Sequence, residues 1–533
     1  MTELNKEVIC IGEKSIPLFS QAYCEADVIV PDVYPDIAKV IQVSSTAGIT
    51  DKVSSNDRIT IDARAEIVIL YLGDDENVYS ISANQQISHL MDAKGAKEGM
   101  YTEAEISVDN IDYTILNSRK MNVKVLMGID VNALEDVTAT LCTSMTTDEN
   151  YEILNQSITP YKTVSRVYEQ LCIREKLELP GGKPSIEKIL RVDACIRNKE
   201  YSLSTNKMIV KGTILVSTVY CSDTDGKIHC AEHEVPFTEI IAMQDVNEDM
   251  KAKLKLCVNR IFYKPEADLD GDSRCIVLEC IITANAKACC QFNTNVVRDV
   301  YCTGYPINIE CENTTVTRLV SENSDRVSLK DIVTLGEDTP DITQIFNVSP
   351  RAYLANAKIE NKKVIVDGII ETDIMYVSAQ SSSPINTHTH QQSFSHTIDV
   401  SEAREDMICD VHIDVVRSSY TISLGKEIDL RFVLQIDTDI LSNDKTECIT
   451  ELKRDESQTY NPRKSYCIKI YFAKQNDNLW SIAKQHRITK EALMEINNIS
   501  SDSDIFDGRQ LMIPIKLLTL PSVCVIMQTE DFV

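Results

Sequence analysis

The sequence predicts a mostly β, multidomain protein: three repeated antiparallel-β domains with short helices, followed by a small α+β module of βααβ order. Three observations predict it. One degraded stretch recurs three times in a fixed register. Apolar residues alternate along the segments after each copy, the signature of a half-buried strand. Near residue 467 the period changes to the three-and-four spacing of short amphipathic helices.

The repeated stretch is clearest at Val30-Pro31-Asp32-Val33-Tyr34-Pro35-Asp36-Ile37, and its sister copies run Leu179–Val192 and Leu335–Val348. With Pro35, Pro184 and Pro340 as anchors, the residue five before is Val30, Leu179 or Leu335, and the residue two after is Ile37, Ile186 or Ile342. A small residue stands twenty-eight past each anchor (Ala63, Gly212, Gly368) and a tyrosine thirty-six past (Tyr71, Tyr220, Tyr376). The anchors are 149 and 156 residues apart (184 − 35 and 340 − 184). That is the spacing of domains; solenoid repeats run about 20–50 residues.

Each unit reads in the same order. Val8–Ile11 and Ala26–Val30 are short lead-in strands rich in β-branched residues. The X-Pro step and Asp36 then open a short helix, because proline suits a first helical turn and Ile37, Val40 and Ile41 recur at i, i+3, i+4. Alternation predicts strands over Ile59–Tyr71, Met208–Ile214 and Val364–Ile370. The shared small residue in them predicts a bulge or a close backbone approach. The three tyrosines read as packing residues rather than sites. Polar turns such as Gly73–Asn77 and Ser222–Gly226 close β-hairpins. Residues 76–120 are too irregular to place. Closing strands follow at Asn122–Val131, Arg274–Ile282 and Glu427–Ile436. The units are thus residues 1–150, 151–300 and 301–445, with a polar linker over 446–466, the small module over 467–516 and a tail over 517–533.

Composition narrows the function classes. A chain of 533 residues with 43% hydrophobic content supports three or four packed domains. Its formal net charge of −27 excludes a nucleic-acid or anionic-membrane surface, which must be basic. No basic segment followed by an apolar run opens the chain, and no stretch reaches the roughly 18 apolar residues of a membrane span, so a cytoplasmic location is expected. The 18 cysteines are scattered, with no Cys-x-x-Cys pair, and read as small buried hydrophobes.

No metal, cofactor or catalytic constellation emerges. Asp268, Asp270, Gly271 and Asp272 with Glu279 mimic part of a calcium loop, but Ser273 stands where the sharp-turn glycine belongs, so a hairpin turn is the reading. His388, His390 and His396 alternate in a Ser/Thr/Gln-rich run and read as an edge strand or solvated loop. Cys221, His229, Cys230 and His233 have no zinc spacing. Nucleophile elbows, phosphate loops and dinucleotide fingerprints do not occur, so a non-enzyme is expected.

The C-terminal module begins with a strand at Ile468–Tyr471. Asn476-Asp477-Asn478 can cap a helix whose Leu479, Ile482, Ala483 and His486 share one face. A second helix spans Thr489–Ile496, and Gln510–Pro514 is the return strand. Asp477, Leu479-Trp480-Ser481-Ile482-Ala483, Ile488, Leu493, Asn497-Asn498, Ile505, Gly508, Leu511 and Ile513-Pro514 resemble the LysM domain. That resemblance implies a groove for N-acetylglucosamine glycans between the loop opening the first helix and the loop before the last strand. Four positions depart from the family pattern: Asn476 and Arg487 stand for Gly, Asn478 for Thr and Asp507 for Pro. Three of them alter the loops that would approach sugar, which favours a protein partner. The candidate partner-binding face is Asp477, Asn478, Leu479, Trp480, Ile482, Asp504, Ile505, Phe506 and Asp507. Trp480, the only tryptophan, is either an exposed anchor for that partner or core-edge packing.

With this module behind them, the repeats resemble the SPOCS domain of sporulation proteins, carried by Pro35-Asp36-Ile37 and Pro340-Asp341-Ile342; Ser185 replaces the acid in the middle copy. The combination is similar to the SipL-like coat-morphogenesis family. It implies a non-enzymatic adaptor in the mother-cell cytoplasm at the forespore surface. The implied partner is the spore coat morphogenetic ATPase, stage IV sporulation protein A. The rivals are a peptidoglycan-binding protein using the LysM groove, and an enzyme with an acid pair that the sequence does not display.

Overall fold

The computed structural model describes residues 3–147, 150–336, 341–378, 385–423, 425–454 and 468–514. Unit 1 has six strands: β1 (Glu3–Ile29), β2 (Ile37–Ser55), β3 (Arg58–Gly73), β4 (Val78–Asp92), β5 (Tyr101–Asn117) and β6 (Lys120–Thr146). They form two antiparallel sheets, ordered β2-β3-β4 and β1-β6-β5, stacked face to face. The alternation dictates this. Ile59, Ile61, Ala65, Ile67, Ile69 and Tyr71 of β3 all face Met121, Val123, Val125 and Met127 of β6, and all are buried. Burying each large side chain stabilises the sandwich by roughly 1.5–3 kcal/mol.

The second and third units repeat the plan. β7 (Tyr151–Ile158), β8 (Tyr161–Glu178), β9 (Ile186–Ser204), β10 (Lys207–Ser222), β11 (Ile228–Ala242), β12 (Lys251–Glu266), β13 (Cys275–Gln291) and β14 (Thr294–Cys302) build unit 2. Its sheets are β9-β10-β11 and β8-β13-β12, with β7 paired to β14 beyond them. Unit 3 comprises β15 (Ile307–Thr334), β16 (Ile342–Glu360), β17 (Lys363–Ser378), β18 (Asn386–Asp399), β19 (Ile408–Ser423) and β20 (Glu427–Arg454), in sheets β16-β17-β18 and β15-β20-β19.

The helix expected after each anchor proline is a strand instead. β2, β9 and β16 each carry two bulges at the same repeat positions, so Ala38, Glu187 and Thr343, then Ile41, Leu190 and Phe346, are extra residues without a cross-strand partner. Each bulge adds one residue to a period of two. The result imitates the i, i+3, i+4 pattern of a helix.

The other repeat signals have direct structural causes. The hydroxyls of Tyr71 and Tyr220 donate to the carbonyls of Pro35 and Pro184 at 3.2 and 3.0 Å, locking each anchor onto its sheet. Burial pushes the pKa of both phenols up to about 12. The equivalent anchor of unit 3, Pro340, lies outside the described residues. The small residues answer both expectations: they face a further bulge in β2, β9 and β16, and they admit a large cross-strand neighbour. A Cβ on Gly212 or Gly368 would stand 2.8 or 2.5 Å from the Phe237 or Phe394 ring. In unit 1 the pairing is Ala63 with the smaller Ile87.

Equivalent positions of the three units meet at a common axis. The bulged Ile41, Leu190 and Phe346 pack there with Leu70, Val219 and Met375, each thirty-five past its anchor. Further along, the outer ends of β1–β6 and β15–β20 extend past their sandwiches and join β7–β14 in a three-ribbon stem. Ile9, Ile11, Leu141, Ile158, Val296, Val316 and Cys448 form its core. This corrects the expected linker. Residues 446–454 are the end of β20, because Cys448 and Ile449 are buried in the stem. Residues 455–467 and the tail from 515 lie outside the described residues. Nine of the sixteen described cysteines are buried, as small apolar side chains would be.

Candidate functional site

The C-terminal module has the expected βααβ order: β21 (Ile468–Phe472), α1 (Leu479–His486), α2 (Lys490–Asn497) and β22 (Gln510–Pro514), with a short 3-10 turn at Asp502–Asp504. Asn478 caps α1, its Oδ1 accepting from the Ser481 amide at 2.7 Å, while Ser481 Oγ accepts from the Asn478 amide at 3.0 Å. Leu479, Ile482, Ala483, Leu493, Leu511 and Ile513 form the core.

The two loops expected to form the face do adjoin. The Leu479 amide donates to Asp502 Oδ1 at 2.7 Å, and the Gly508 amide to the Ala473 carbonyl at 2.8 Å. Asn478, Phe506 and Asp507 are exposed on this rim, Phe506 at 63%. Asp477 and Asp504 brace the loops. Asp477 Oδ2 accepts from Tyr471 Oη at 2.7 Å and from the Lys474 amide at 2.8 Å. Asp504 Oδ2 accepts from the Ser500 and Ser501 amides at 2.9 and 3.2 Å, which hold its carboxyl below the usual range. Ile505 is half-buried against the core. Leu479 and Ile482 do not reach the face: both are core residues, 1% and 0% exposed.

Trp480 is engaged within the chain. Its indole N–H donates to Asp299 Oδ2 of β14 at 2.8 Å, and its ring meets the Tyr301 ring edge-on with centroids 4.9 Å apart. Lys484 Nζ binds the same Asp299 at 2.7 Å, and Tyr301 Oη donates to the Ile488 carbonyl at 2.7 Å. Glu152 of β7 accepts from the Lys490 amide at 3.4 Å, and burial pushes its carboxyl up. The module is therefore clasped to the stem ribbon of unit 2. Sequence reasoning missed Asp299, Tyr301 and Glu152. The one local signal was the charged Arg298-Asp299 pair interrupting the apolar Val296-Val297 and Val300 run.

At two of the departures from the LysM pattern the backbone keeps the conformation that glycine favours: Asn476 has φ +72° and Arg487 φ +54°. These substitutions change what the loops present, not their path.

The remaining candidates disperse. Asp268 Oδ1 accepts from the Asp270 and Asp272 amides at 2.9 and 3.0 Å, a hairpin-turn arrangement, while Glu279 binds Arg174 at 2.9 Å. His390 and His396 bind Asp331 and Asp325 of β15 at 2.6 and 3.0 Å. His229 turns to Asp225, and His233 to the Glu178 carbonyl. Among the described residues no group of three or more His, Cys, Asp or Glu side chains converges. No helix among them is long and apolar enough to cross a membrane.

Comparison with known families matches this architecture. Residues 36–116, 185–266 and 341–423 match the SipL SPOCS domain, and residues 471–514 match the LysM domain. The chain carries three SipL-family SPOCS domains and one LysM domain. No curated protein matches it. Each SPOCS match starts beside an anchor proline and covers the second to fifth strands of its sandwich. The first and sixth strands of each sandwich lie outside the match, as does the β7–β14 ribbon of the stem. SPOCS and LysM are binding domains rather than catalytic ones, and the SPOCS repeats mark a sporulation-related protein.

Proposed function

We propose that the chain is a non-enzymatic adaptor of endospore coat assembly, whose LysM face docks the coat basement-layer ATPase, stage IV sporulation protein A, at the forespore surface. The observation that carries this reading is Phe506. It stands 63% exposed on an acidic rim with Asn478 and Asp507, on a module whose orientation is fixed by the Trp480–Asp299 clasp. An aromatic ring left in water at the edge of two braced loops is the composition of an interface core. Trp480 acts in this scheme as the residue that aims the face. Peptidoglycan is the second reading, favoured by the glycine-like backbone at Asn476 and the intact juxtaposition of the two loops.

The test is capture of purified coat ATPase, and separately retention on peptidoglycan sacculi, by the full chain and its Phe506→Ala variant. The adaptor reading expects ATPase capture that falls tenfold or more in Phe506→Ala. Retention on sacculi without ATPase capture would overturn it.

A further inference from the structure

The junctions between SPOCS units follow one rule. Asn259 of β12 covers Gly48 of β2 and donates to the Ile49 carbonyl at 3.3 Å. Arg197 of β9 donates to the Val415 carbonyl of β19 at 2.8 Å, and Lys199 binds Asp414 at 2.6 Å. Gly48 and Arg197 both stand thirteen past their anchor prolines; Asn259 and Val415 both stand seventy-five past theirs. The second strand of one unit thus packs on the fifth strand of the next, first to second and second to third.

By the same rule β16 of unit 3 should pack on β5 of unit 1. Both halves are bare among the described residues. Leu354 is 45% exposed, whereas Ile49, the apolar residue at the same repeat position of the first junction, is 7% exposed; the second junction has the polar Asn198 there, left in water. Tyr353 beside it is 38% exposed. On β5, Asn110 is exposed where Asn259 and Val415 are half-buried. Ile115 and Leu116 further along are 47% and 53% exposed; the closed seams also expose these positions, but carry Lys264-Pro265 and Tyr420-Thr421 there rather than two aliphatic side chains. The ion pairs described between units show the same asymmetry. Arg166 and Lys287 bind Glu13 across the first junction, and Lys199 and Lys253 bind Asp414 and Asp410 across the second. The ring of three units has two closed seams and one open seam.

We propose that the open seam is a self-association surface, in which β16 of one copy takes β5 of a second copy. One chain holds both strands of a packing that it already makes twice within itself, so a second copy supplies the complementary strand in the same arrangement. If both halves engage reciprocally, a closed two-fold dimer results; a one-way contact would instead propagate copies into an open chain. Either assembly buries Tyr353 and Leu354 against the β5 strand of the neighbour.

Sedimentation velocity of the full chain, from about 1 to 100 μM in about 0.15 M salt, tests this. The expected result is concentration-dependent association by the wild type that is lost in Leu354→Asp and in Ile115→Asp. Both changes lie on exposed positions, and unchanged near-ultraviolet circular dichroism would show intact folding. Val33→Asp, on an 85% exposed turn, should associate as the wild type does. A wild type that stays monomeric over the range overturns the proposal. So does association that persists in folded Leu354→Asp and Ile115→Asp.

Discussion

Arg191 and Gln42 meet at the axis of the three units: the guanidinium donates to Gln42 Oε1 at 2.7 Å, and each residue stands seven past the proline of its own repeat. Asn347, the third residue at that position, donates to Asp193 at 2.9 Å, and the same carboxylate holds Arg191 at 2.7 Å. Arg191 and Asp193 are 12% and 26% exposed, so this cluster is largely shielded from water. Arg191→Leu should therefore lower the stability of the chain by about 2–4 kcal/mol, because it strands Asp193. Adding Asp193→Leu should return much of that loss. Urea midpoints of the single and double variants measure both effects.

Lys52 should make stability rise with alkaline pH. Its ammonium has no hydrogen-bond partner and lies 3.9 Å from the Tyr168 ring centroid, and burial pulls its pKa down to about 8 from 10.5. Between those values the unfolded chain binds more protons than the folded chain, so the contribution of Lys52 to stability grows as pH rises through that window. Lys52→Met should thus stabilise the chain near pH 7, by about 1–2 kcal/mol once the cation–π contact and partial exposure are discounted. The advantage should vanish above about pH 10.5. Paired urea titrations at pH 7 and above pH 10 read the difference.

The glycines at the shared small position should resist enlargement. Gly212→Ala places a methyl against the Phe237 ring and should cost about 1–3 kcal/mol. Adding Phe237→Ile recreates the Ala63–Ile87 pairing of the first unit and should recover part of that cost. Thermal unfolding of the single and double variants decides it.

Trp480 should report its own docking, since it is the only tryptophan in the chain. Asp299→Ala with Tyr301→Ala removes the indole acceptor and the facing ring, and should shift Trp480 emission to longer wavelength as water reaches it. Far-ultraviolet circular dichroism should stay as in the wild type. Unchanged emission would show that the clasp does not hold the module.

The sequence showed the β class, the three units and the LysM module because those rest on periodicity and on a register that repeats. It misread β2, β9 and β16 because bulges shift an alternating pattern into helical spacing, and one residue past an extended step looks the same in either case. It missed the clasp because Asp299 and Trp480 are 181 residues apart, and the charged break in the Val296–Val300 run does not say which residue answers it. Leu479 and Ile482 stand one before and two after Trp480, about 100° and 200° around the helix from it, so they turn into the core and not onto the face. Of the stem, Val8–Ile11 was legible as a strand, while the end of β20 read as a polar linker, since a two-stranded ribbon buries one residue in two and Cys448-Ile449 is a short apolar signal.

The stem also sets a timetable for synthesis. Glu3 pairs with Thr146, and Ile307 with Arg454, so no sandwich can close its ribbon until its final strand has left the ribosome. Loops of that length close slowly, and early strands wait with their edges unpaired. The LysM module is made after all three units, and it can clasp only a finished β7–β14 ribbon. Its attachment is in effect a certificate of completion: a nascent chain whose earlier units have stalled has no platform on which to hold its docking face.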